Sequence, residues 1–288
     1  MHQRITGHTE LIGLIATPIR HSKSPMMHNT AFELLGLDYA YLAFDIPPEN
    51  LEPAVAGLKA LGVRGWNVSM PFKTAIMPLL DEVSQASVMC QSVNTVVNDG
   101  GVLKGTVTDG IGWMQSLRSA GIDIVGKKIT VLGAGGAATA ICMQAALDGV
   151  GEISIFNRAD EFRDRAIRNA ALICSETGSR AAFFPLEDLE ALRREIADSV
   201  LLCNATSAGM GVQADICLIP DADFLRPDLI VTDVIYAPPR TLLLELAERC
   251  GCRTLNGLSM MLYQGAAAFR LWTGQDMPVE QVRLALDD

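Results

Sequence analysis

Lys128-Ile129-Thr130-Val131-Leu132-Gly133-Ala134-Gly135-Gly136-Ala137-Ala138 is the stretch on which the fold turns. A short apolar strand runs straight into glycines and then into small residues that can open a helix. Gly133, Gly135 and Ala138 fit the spacing G-x-G-x-x-[GA]. The first glycine permits a tight turn, the second lets the backbone approach a pyrophosphate, and the small third residue lets helix and strand pack closely. The N-terminus of the helix adds unpaired N–H groups and the positive end of a dipole, both of which favour phosphate. Glycines alone can serve a purely steric turn. Here the strand, the turn, the helix and a second strand ending at Asn157 all stand where a dinucleotide-binding unit needs them. A nicotinamide cofactor is expected over a flavin. The unit is short and central, and the rest of the chain supplies acid–base residues instead of a second flavin-enclosing domain.

Outward from this stretch, strand and helix patterns alternate. Downstream, strands are predicted over 153–157, 181–184, 200–204 and 229–234, with helices over 161–176, 189–196, 257–272 and 279–286. Upstream, strands are predicted over 11–16, 39–45 and 65–70, and helices over 25–35, 49–61 and from Pro71. Asp99-Gly100 signals a hairpin between strands 94–98 and 102–105, followed by a helix over 110–120. The pattern predicts an α/β architecture with largely parallel sheets. No repeat, low-complexity tract or long linker interrupts it, so two domains sharing helices at a cleft are expected.

The formal charge of −10 argues against nucleic acid as the main partner, since phosphate binding needs a basic face. An anionic substrate would meet the same unfavourable field, so its site must supply local donors. The chain has no run of about 18 apolar residues, as a membrane helix requires. Its start, Met1-His2-Gln3-Arg4, lacks a signal-type apolar stretch. The seven cysteines are odd in number and form no C-x-x-C pair, which points to free thiols in a reducing cytoplasm. All four histidines fall within the first 28 residues without metal-ligand spacing, and no metal is expected.

Three polar clusters lie outside the nucleotide unit. The first is His21-Ser22-Lys23-Ser24-Pro25, before a predicted helix. Ser24 can cap that helix, and the two hydroxyls with free N–H groups can equally bind a carboxylate. The second is Asn67-Val68-Ser69-Met70-Pro71-Phe72-Lys73. A helix starting at Pro71 would place Lys73 in its first turn, where the dipole disfavours a cation and favours the neutral amine of a general base. The plain alternative is a surface lysine reaching into water. The third is Thr108-Asp109-Gly110, where Asp109 either caps the next helix or, with Thr108 as cap, pairs with Lys73. Such a pair suits removal of a proton from an alcohol as hydride leaves its carbon.

Taken together, these clusters resemble the shikimate dehydrogenase family, most closely its quinate/shikimate branch, in the family's order along essentially the whole chain. Ser22-Lys23-Ser24-Pro25 looks like the S-x-S-P whose serines hold the substrate carboxylate. Asn67 through Lys73 is similar to N-V-[ST]-x-P-x-K, which puts Lys73 at the catalytic lysine and Ser69 at a substrate-contacting hydroxyl. Ser92-Val93-Asn94-Thr95 implies that Asn94 binds ring hydroxyls, and Thr108-Asp109-Gly110 matches the catalytic aspartate's motif. Gly133, Ala134, Gly135, Gly136 and Ala137 resemble the family's cofactor loop, and Asn157-Arg158 stands where the adenosine ribose is met, with Asp160 close behind. Asn204 through Met210 resembles N-[AG]-T-x-x-G-M, which assigns Thr206 and Met210 to the cofactor, together with Gly257. Tyr236 in Tyr236-Ala237-Pro238 and Gln264 in Tyr263-Gln264-Gly265-Ala266 are implied substrate contacts, although Gln264 on pattern alone also reads as a bonded core amide.

The resemblance implies a substrate-binding α/β domain over 1–109, completed by 255–288, and a Rossmann-type domain over 110–254, around a cleft. It implies reversible hydride transfer between a ring alcohol of a small cyclic polyhydroxy acid and NAD or NADP, often in a homodimer. One departure stands out. The family usually has Asn-Thr-Asp-Gly at the catalytic aspartate, where this chain has Val107-Thr108-Asp109-Gly110. Loss of the amide leaves open shikimate, quinate or a related ring acid such as aminoshikimate as substrate, or reduced activity on shikimate itself. A nicotinamide-binding sensor that keeps the fold without turnover is the alternative from another class, against which the presence of both Lys73 and Asp109 speaks. Asp160 and Glu161 after Arg158 favour use of NAD beside NADP, unless they merely favour the start of the next helix.

Overall fold

The structure is a computed structural model that describes residues 5–20 and 22–287; His21 of the first cluster and the first four residues lie outside them. The chain forms two compact units, Met1–Thr108 with Leu262–Asp288, and Asp109–Met261.

The first unit holds strands β1 (Glu10–Ala16), β2 (Tyr39–Asp45), β3 (Gly65–Val68), β4 (Glu82–Val83), β5 (Thr95–Asp99) and β6 (Val102–Thr106), in the order β2-β1-β3-β5-β6-β4. β1 pairs in parallel with β2 and β3, whereas β5 runs antiparallel to β3 and β6. Its helices in the N-terminal part are α1 (Ser24–Leu35), α2 (Leu51–Ala60), α3 (Phe72–Ala75) and α4 (Gln85–Cys90). α1 ends at Gly36, whose φ of 63° lets its N–H turn back to Glu33 O. Leu51, Val55 and Leu58 of α2 pack with Trp66, Val68, Phe72 and Ile76 in one core cluster.

The second unit opens with α5 (Asp109–Ser119) and continues through β7 (Lys128–Leu132), α6 (Gly136–Leu147), β8 (Glu152–Asn157), α7 (Arg163–Glu176) and β9 (Arg180–Pro185). It then runs through α8 (Leu189–Asp198), β10 (Leu201–Asn204), β11 (Ile230–Asp233), α9 (Leu242–Arg249) and β12 (Arg253–Leu255). Its strands are parallel in the order β12-β11-β10-β7-β8-β9. The sequence order reverses between β7 and β10, and ligands of such sheets bind beyond the strand ends at that switch point. Helix α10 (Leu258–Thr273) contributes to the first unit from Leu262 on and is followed by α11 (Val279–Asp287). There Trp272 donates from Nε1 to Val96 O at 2.9 Å. A Cβ on Gly65 would stand 2.3 Å from that same Nε1, so only glycine fits beneath the indole.

Three expectations need correction. The hairpin turns at Gly100-Gly101, with φ of 59° and 95°, because two successive left-handed residues suit the twist of the strands and Asp99 closes β5 instead. α3 is a single four-residue turn, too few aligned peptides to carry the dipole argument made for Lys73. Lys23, not Ser24, stands at the N-cap of α1, and no side chain caps that helix. The short β4 and β12, and helices α4 and α9, were not foreseen. Among the described residues no helix is long and apolar enough to cross a membrane.

A buried charge cluster ties α8 to the second sheet. Lys128 Nζ lies 2.6 Å from Glu195 Oε2 and 2.9 Å from Glu152 Oε1, and Ser154 donates to Glu195 Oε2 at 2.8 Å. Burial would raise the Glu195 carboxyl, but the bonds from Lys128, Ser154 and Arg194 outweigh it and hold the group below its ordinary value of 4.5. Glu152 is lowered as well, first by its bond to Lys128. Depressed carboxylates contribute stability that is full above 4.5 and is lost as pH falls through their folded values. Glu195→Ala, which removes the closest partner of Lys128 and leaves it Glu152, should lower the unfolding free energy by about 1–2 kcal/mol in urea titrations at neutral pH. The variant should also lose less further stability than wild type between about pH 5 and pH 3.

Candidate active site

Each unit carries part of the candidate set. In the first, Ser24 is the first residue of α1, and its N–H donates to Ser22 Oγ at 3.2 Å. The Ser24 hydroxyl is hydrogen-bonded to the phenol of Tyr41. Tyr41 in turn donates to Asn67 Oδ1 at 2.7 Å. Asn67 Nδ2 donates to Asn94 O at 3.0 Å and to Thr95 Oγ1 at 3.1 Å. Asn94 Oδ1 accepts from Thr108 N at 2.8 Å and from Thr95 Oγ1 at 2.9 Å. The Thr108 hydroxyl, 3.1 Å from Asn94 Oδ1 and 3.5 Å from Gln264 Oε1, closes the chain of contacts. Eight polar positions, Ser22, Ser24, Tyr41, Asn67, Asn94, Thr95, Thr108 and Gln264, are therefore joined in one network.

The network is held in an apolar frame. Burial pushes the Tyr41 phenol well above its ordinary value of 10, with the Ser24 bond pulling the other way, so the ring is a neutral donor. His28 stacks on it with centroids 4.5 Å apart. Burial lowers the His28 imidazole to about 3, which keeps it neutral as well. Tyr41 and Thr95 escaped the sequence reading. The available signal was a tyrosine on a strand that faces the same buried layer as Asn67. Lys73 is half-buried, and its carbonyl accepts from Val93 N at 2.8 Å, which pins α3 beside the Asn94 segment. Ser69 is half-buried, with its N–H on Ile15 O at 3.0 Å. Val107 is buried, so the residue that replaces the family's amide faces the protein interior. Asp109 is the first residue of α5, and the Thr108 hydroxyl before it donates to Asn94 Oδ1.

In the second unit the β7–α6 turn has the form that a dinucleotide requires. Gly133 has a φ of 109°, and a Cβ there would meet Ala205 O at 2.9 Å and Thr206 Cγ2 at 2.8 Å. By contrast, a Cβ on Gly135 or Gly136 would meet nothing within 4 Å. Protein packing thus explains the first glycine and not the next two, and the open space lies at the N-terminus of a twelve-residue helix. Ala134 is buried, Ala137 is half-buried, and Ala138 is fully buried at the third motif position. These residues fit a pyrophosphate.

At the end of β8, Asn157 Nδ2 donates to Asp160 Oδ1 at 2.7 Å, and the same oxygen accepts from Phe162 N at 2.9 Å. Asp160 Oδ2 lies 3.9 Å from Arg158 Nε. Asp160 therefore braces its own loop. Beyond β10 and β11, Asn204 donates to Asp233 Oδ1 at 3.1 Å and to Ala208 O at 3.1 Å, and accepts from Thr206 Oγ1 at 2.7 Å. Met210 and Tyr236 are exposed. Gly257 has a steric reason of its own: a Cβ would stand 1.9 Å from Val234 O.

Comparison with known proteins agrees along the whole chain. The profile of the shikimate dehydrogenase substrate binding domain matches residues 14–96, and that of the shikimate 5'-dehydrogenase C-terminal domain matches 257–286. A shikimate dehydrogenase (NADP(+)) of Listeria monocytogenes serotype 4b is 59% identical over 98% of this chain and 97% of the relative. The crystal structure of shikimate 5-dehydrogenase from Listeria monocytogenes, in complex with shikimate and NAD, superposes with a TM-score of 0.97 at 58% identity, covering 99% of both chains. A quinate dehydrogenase from Corynebacterium glutamicum in complex with NAD gives a TM-score of 0.86 at 29% identity, covering 96% of this chain and 98% of the other.

The two glycines give a paired test. Gly135→Ala should leave the melting temperature within a few degrees of wild type yet abolish measurable dinucleotide binding in calorimetry, because its Cβ enters ligand space alone. Gly133→Ala should lower both, with the positive φ alone costing about 1–2 kcal/mol. Nucleotide affinity that survives Gly135→Ala would remove the loop from the site.

Proposed function

The chain belongs to the shikimate dehydrogenase family, and on that premise we propose that it interconverts shikimate and 3-dehydroshikimate, using NAD or NADP. The observation that carries this reading is the hydrogen-bonded series from Ser24 through Tyr41, Asn67 and Asn94 to Thr108 and Gln264. It offers hydroxyls at one end for a carboxylate and amides at the other for ring hydroxyls, which is the polarity of a cyclic polyhydroxy acid.

Ser22 and Ser24 take the carboxylate, which supplies the local donors that a chain of charge −10 must provide for an anion. Ser69, Asn94, Tyr236 and Gln264 bond the ring hydroxyls. Lys73 removes the proton of the reacting hydroxyl as its carbon gives up hydride, and Asp109 orients the amine and offsets the charge it gains. In the reverse direction the Lys73 ammonium returns that proton to the carbonyl oxygen. The nicotinamide ring, when bound, supplies the hydride acceptor or donor. Gly133 through Ala137 hold the pyrophosphate, Asn157, Arg158 and Asp160 meet the adenosine ribose, and Thr206, Met210 and Gly257 lie with the nicotinamide end.

Val107 stands where the resemblance implies an amide, so quinate and aminoshikimate are to be assayed beside shikimate. Seven free thiols support a cytoplasmic setting. Light scattering tests the homodimer common in the family.

Lys73→Ala should cut turnover of shikimate by about two to four powers of ten, the usual worth of a general acid–base group. Its effect on the Michaelis constant should be smaller. Asp109→Asn should also be slow, and the double variant should fall short of the product of the two losses because the pair acts as one unit. Near-normal turnover of Lys73→Ala across the pH range would remove the assigned role.

For the cofactor, we expect NAD to be used at least as efficiently as NADP. Asp160→Ala should shift kcat/KM toward NADP by two routes that add: it removes a carboxylate from the ribose site and releases Arg158 for a 2′-phosphate. Arg158→Ala should shift it back. A wild-type preference for NADP of about a hundredfold or more would reduce Asp160 to a loop brace.

A further inference from the structure

Asp233 is a buried carboxylate that takes no part in the chemistry described above. It ends β11 directly opposite Asn204, which ends β10. Its Oδ1 accepts from Ile235 N at 3.0 Å and from Asn204 Nδ2 at 3.1 Å, and its Oδ2 accepts from Thr241 Oγ1 at 2.8 Å. Among the described residues no cationic side chain pairs with it. Burial pushes the group above its ordinary value of 3.8, and the three hydrogen bonds pull against that rise. A carboxylate kept in such a place is costly unless its geometry is needed.

Each of the three donors belongs to a different piece of backbone that reaches the switch point. Through Asn204 the carboxylate orders the Ala205–Met210 turn, since Asn204 also accepts from Thr206 N at 3.2 Å and donates to Ala208 O. The same turn presses Ala205 and Thr206 against Gly133. Through Ile235 N it sets the direction of the chain just before Tyr236, where Ile235 O accepts from Gly257 N at 2.9 Å. Through Thr241 it fixes the first turn of α9, against which Gly209, with a φ of 103°, is packed. One side chain thus sets the positions of two loops whose exposed ends are Met210 and Tyr236.

We propose that Asp233 is a positioning residue for the nicotinamide end of the dinucleotide site, holding the loops after β10 and β11 in register with each other. This rests on the reading of Thr206, Met210 and Gly257 given above. It separates the two ends of the cofactor: the pyrophosphate turn at Gly133–Gly136 has its own hydrogen bonds, including Gly133 N on Phe156 O at 2.7 Å, and does not depend on the carboxylate directly.

The test compares a whole ligand with its truncated form. Affinities of NADH and NADPH, and of ADP-ribose and 2′-phospho-ADP-ribose, are measured by calorimetry on wild type and on Asp233→Asn. The variant keeps the shape but replaces one acceptor oxygen by an NH₂, which faces either Thr241 or the Ile235–Asn204 pair. Its affinity for the reduced cofactor should fall by about five- to tenfold, the scale of one ordinary hydrogen bond, with the ADP-ribose ligand within about twofold of wild type. Shikimate turnover should fall with it. Equal losses for both ligands, or no loss for either, overturn the proposal and leave Asp233 a purely structural group. Should Asp233→Asn fail to fold, Thr241→Val removes a single donor and is read by the same ratio. Wild-type protein that binds NADH and NADPH no better than the truncated ligands overturns the underlying reading of the nicotinamide end, and the proposal with it.

Discussion

A side-chain amide withdrawn from water must find its hydrogen bonds inside the protein, and three asparagines meet that demand by tying separate segments together. Asn67 links β2, through Tyr41, to the Asn94–Thr95 corner. Asn94 then links that corner to Thr108. Asn204 joins the ends of β10 and β11 in the other unit. Asn204 ends β10, Asn67 is the last-but-one residue of β3 and Asn94 immediately precedes β5, so each amide stands at or beside a strand terminus. The same bonds that satisfy the amides therefore fix where the neighbouring hydroxyls and loops lie. Replacing one of these amides by an apolar group would leave several partners unpaired, so their cost to stability and to binding cannot be separated by deletion alone.

How much of this was legible in the sequence depends on how local each cause is. The strand–turn–helix at Lys128–Ala138 could be read because its apolar run, its glycines and its small residues are adjacent, and the Gly133 geometry follows from them. The alternation of long elements was equally plain. By contrast, β12 has three residues and β4 two, too few for any periodicity to register. The Lys73 environment was misjudged because a proline-started helix was taken to have length, and α3 stops after one turn. The roles of Tyr41 and Asp233 are hard to read for a different reason. Their importance lies in partners 26 and 29 residues or fewer away along the chain, as in the bonds of Tyr41 to Asn67 and of Asn204 to Asp233, and no short motif records such pairings.

The charge balance bears on ligand capture. Both a ring carboxylate and a dinucleotide are anionic, while the chain carries −10. On the proposed reading, the net charge offers them no long-range attraction, and capture falls to local donors: the N-termini of α1 and α6, the hydroxyls beside them and, for a 2′-phosphate, Arg158. The neutral donors among these are little affected by salt. The ion pairs that the second unit does own, such as Lys128 with Glu195 and Glu152, are spent on fastening α8 to the sheet, away from the turn at Gly133.

The fit of Trp272 over Gly65 also bears on how the protein is made. The indole closes onto β3 and β5, and the carbonyl of Trp272 accepts from Arg64 Nε at 3.0 Å, so residues near the end of the chain complete a sheet that begins near its start. Between them lies the whole of Asp109–Met261, which has its own sheet and core. During vectorial synthesis that inserted unit can finish folding while the first sheet still lacks its cover. Trp272 can cover Gly65 only after the whole of Asp109–Met261 has been synthesised.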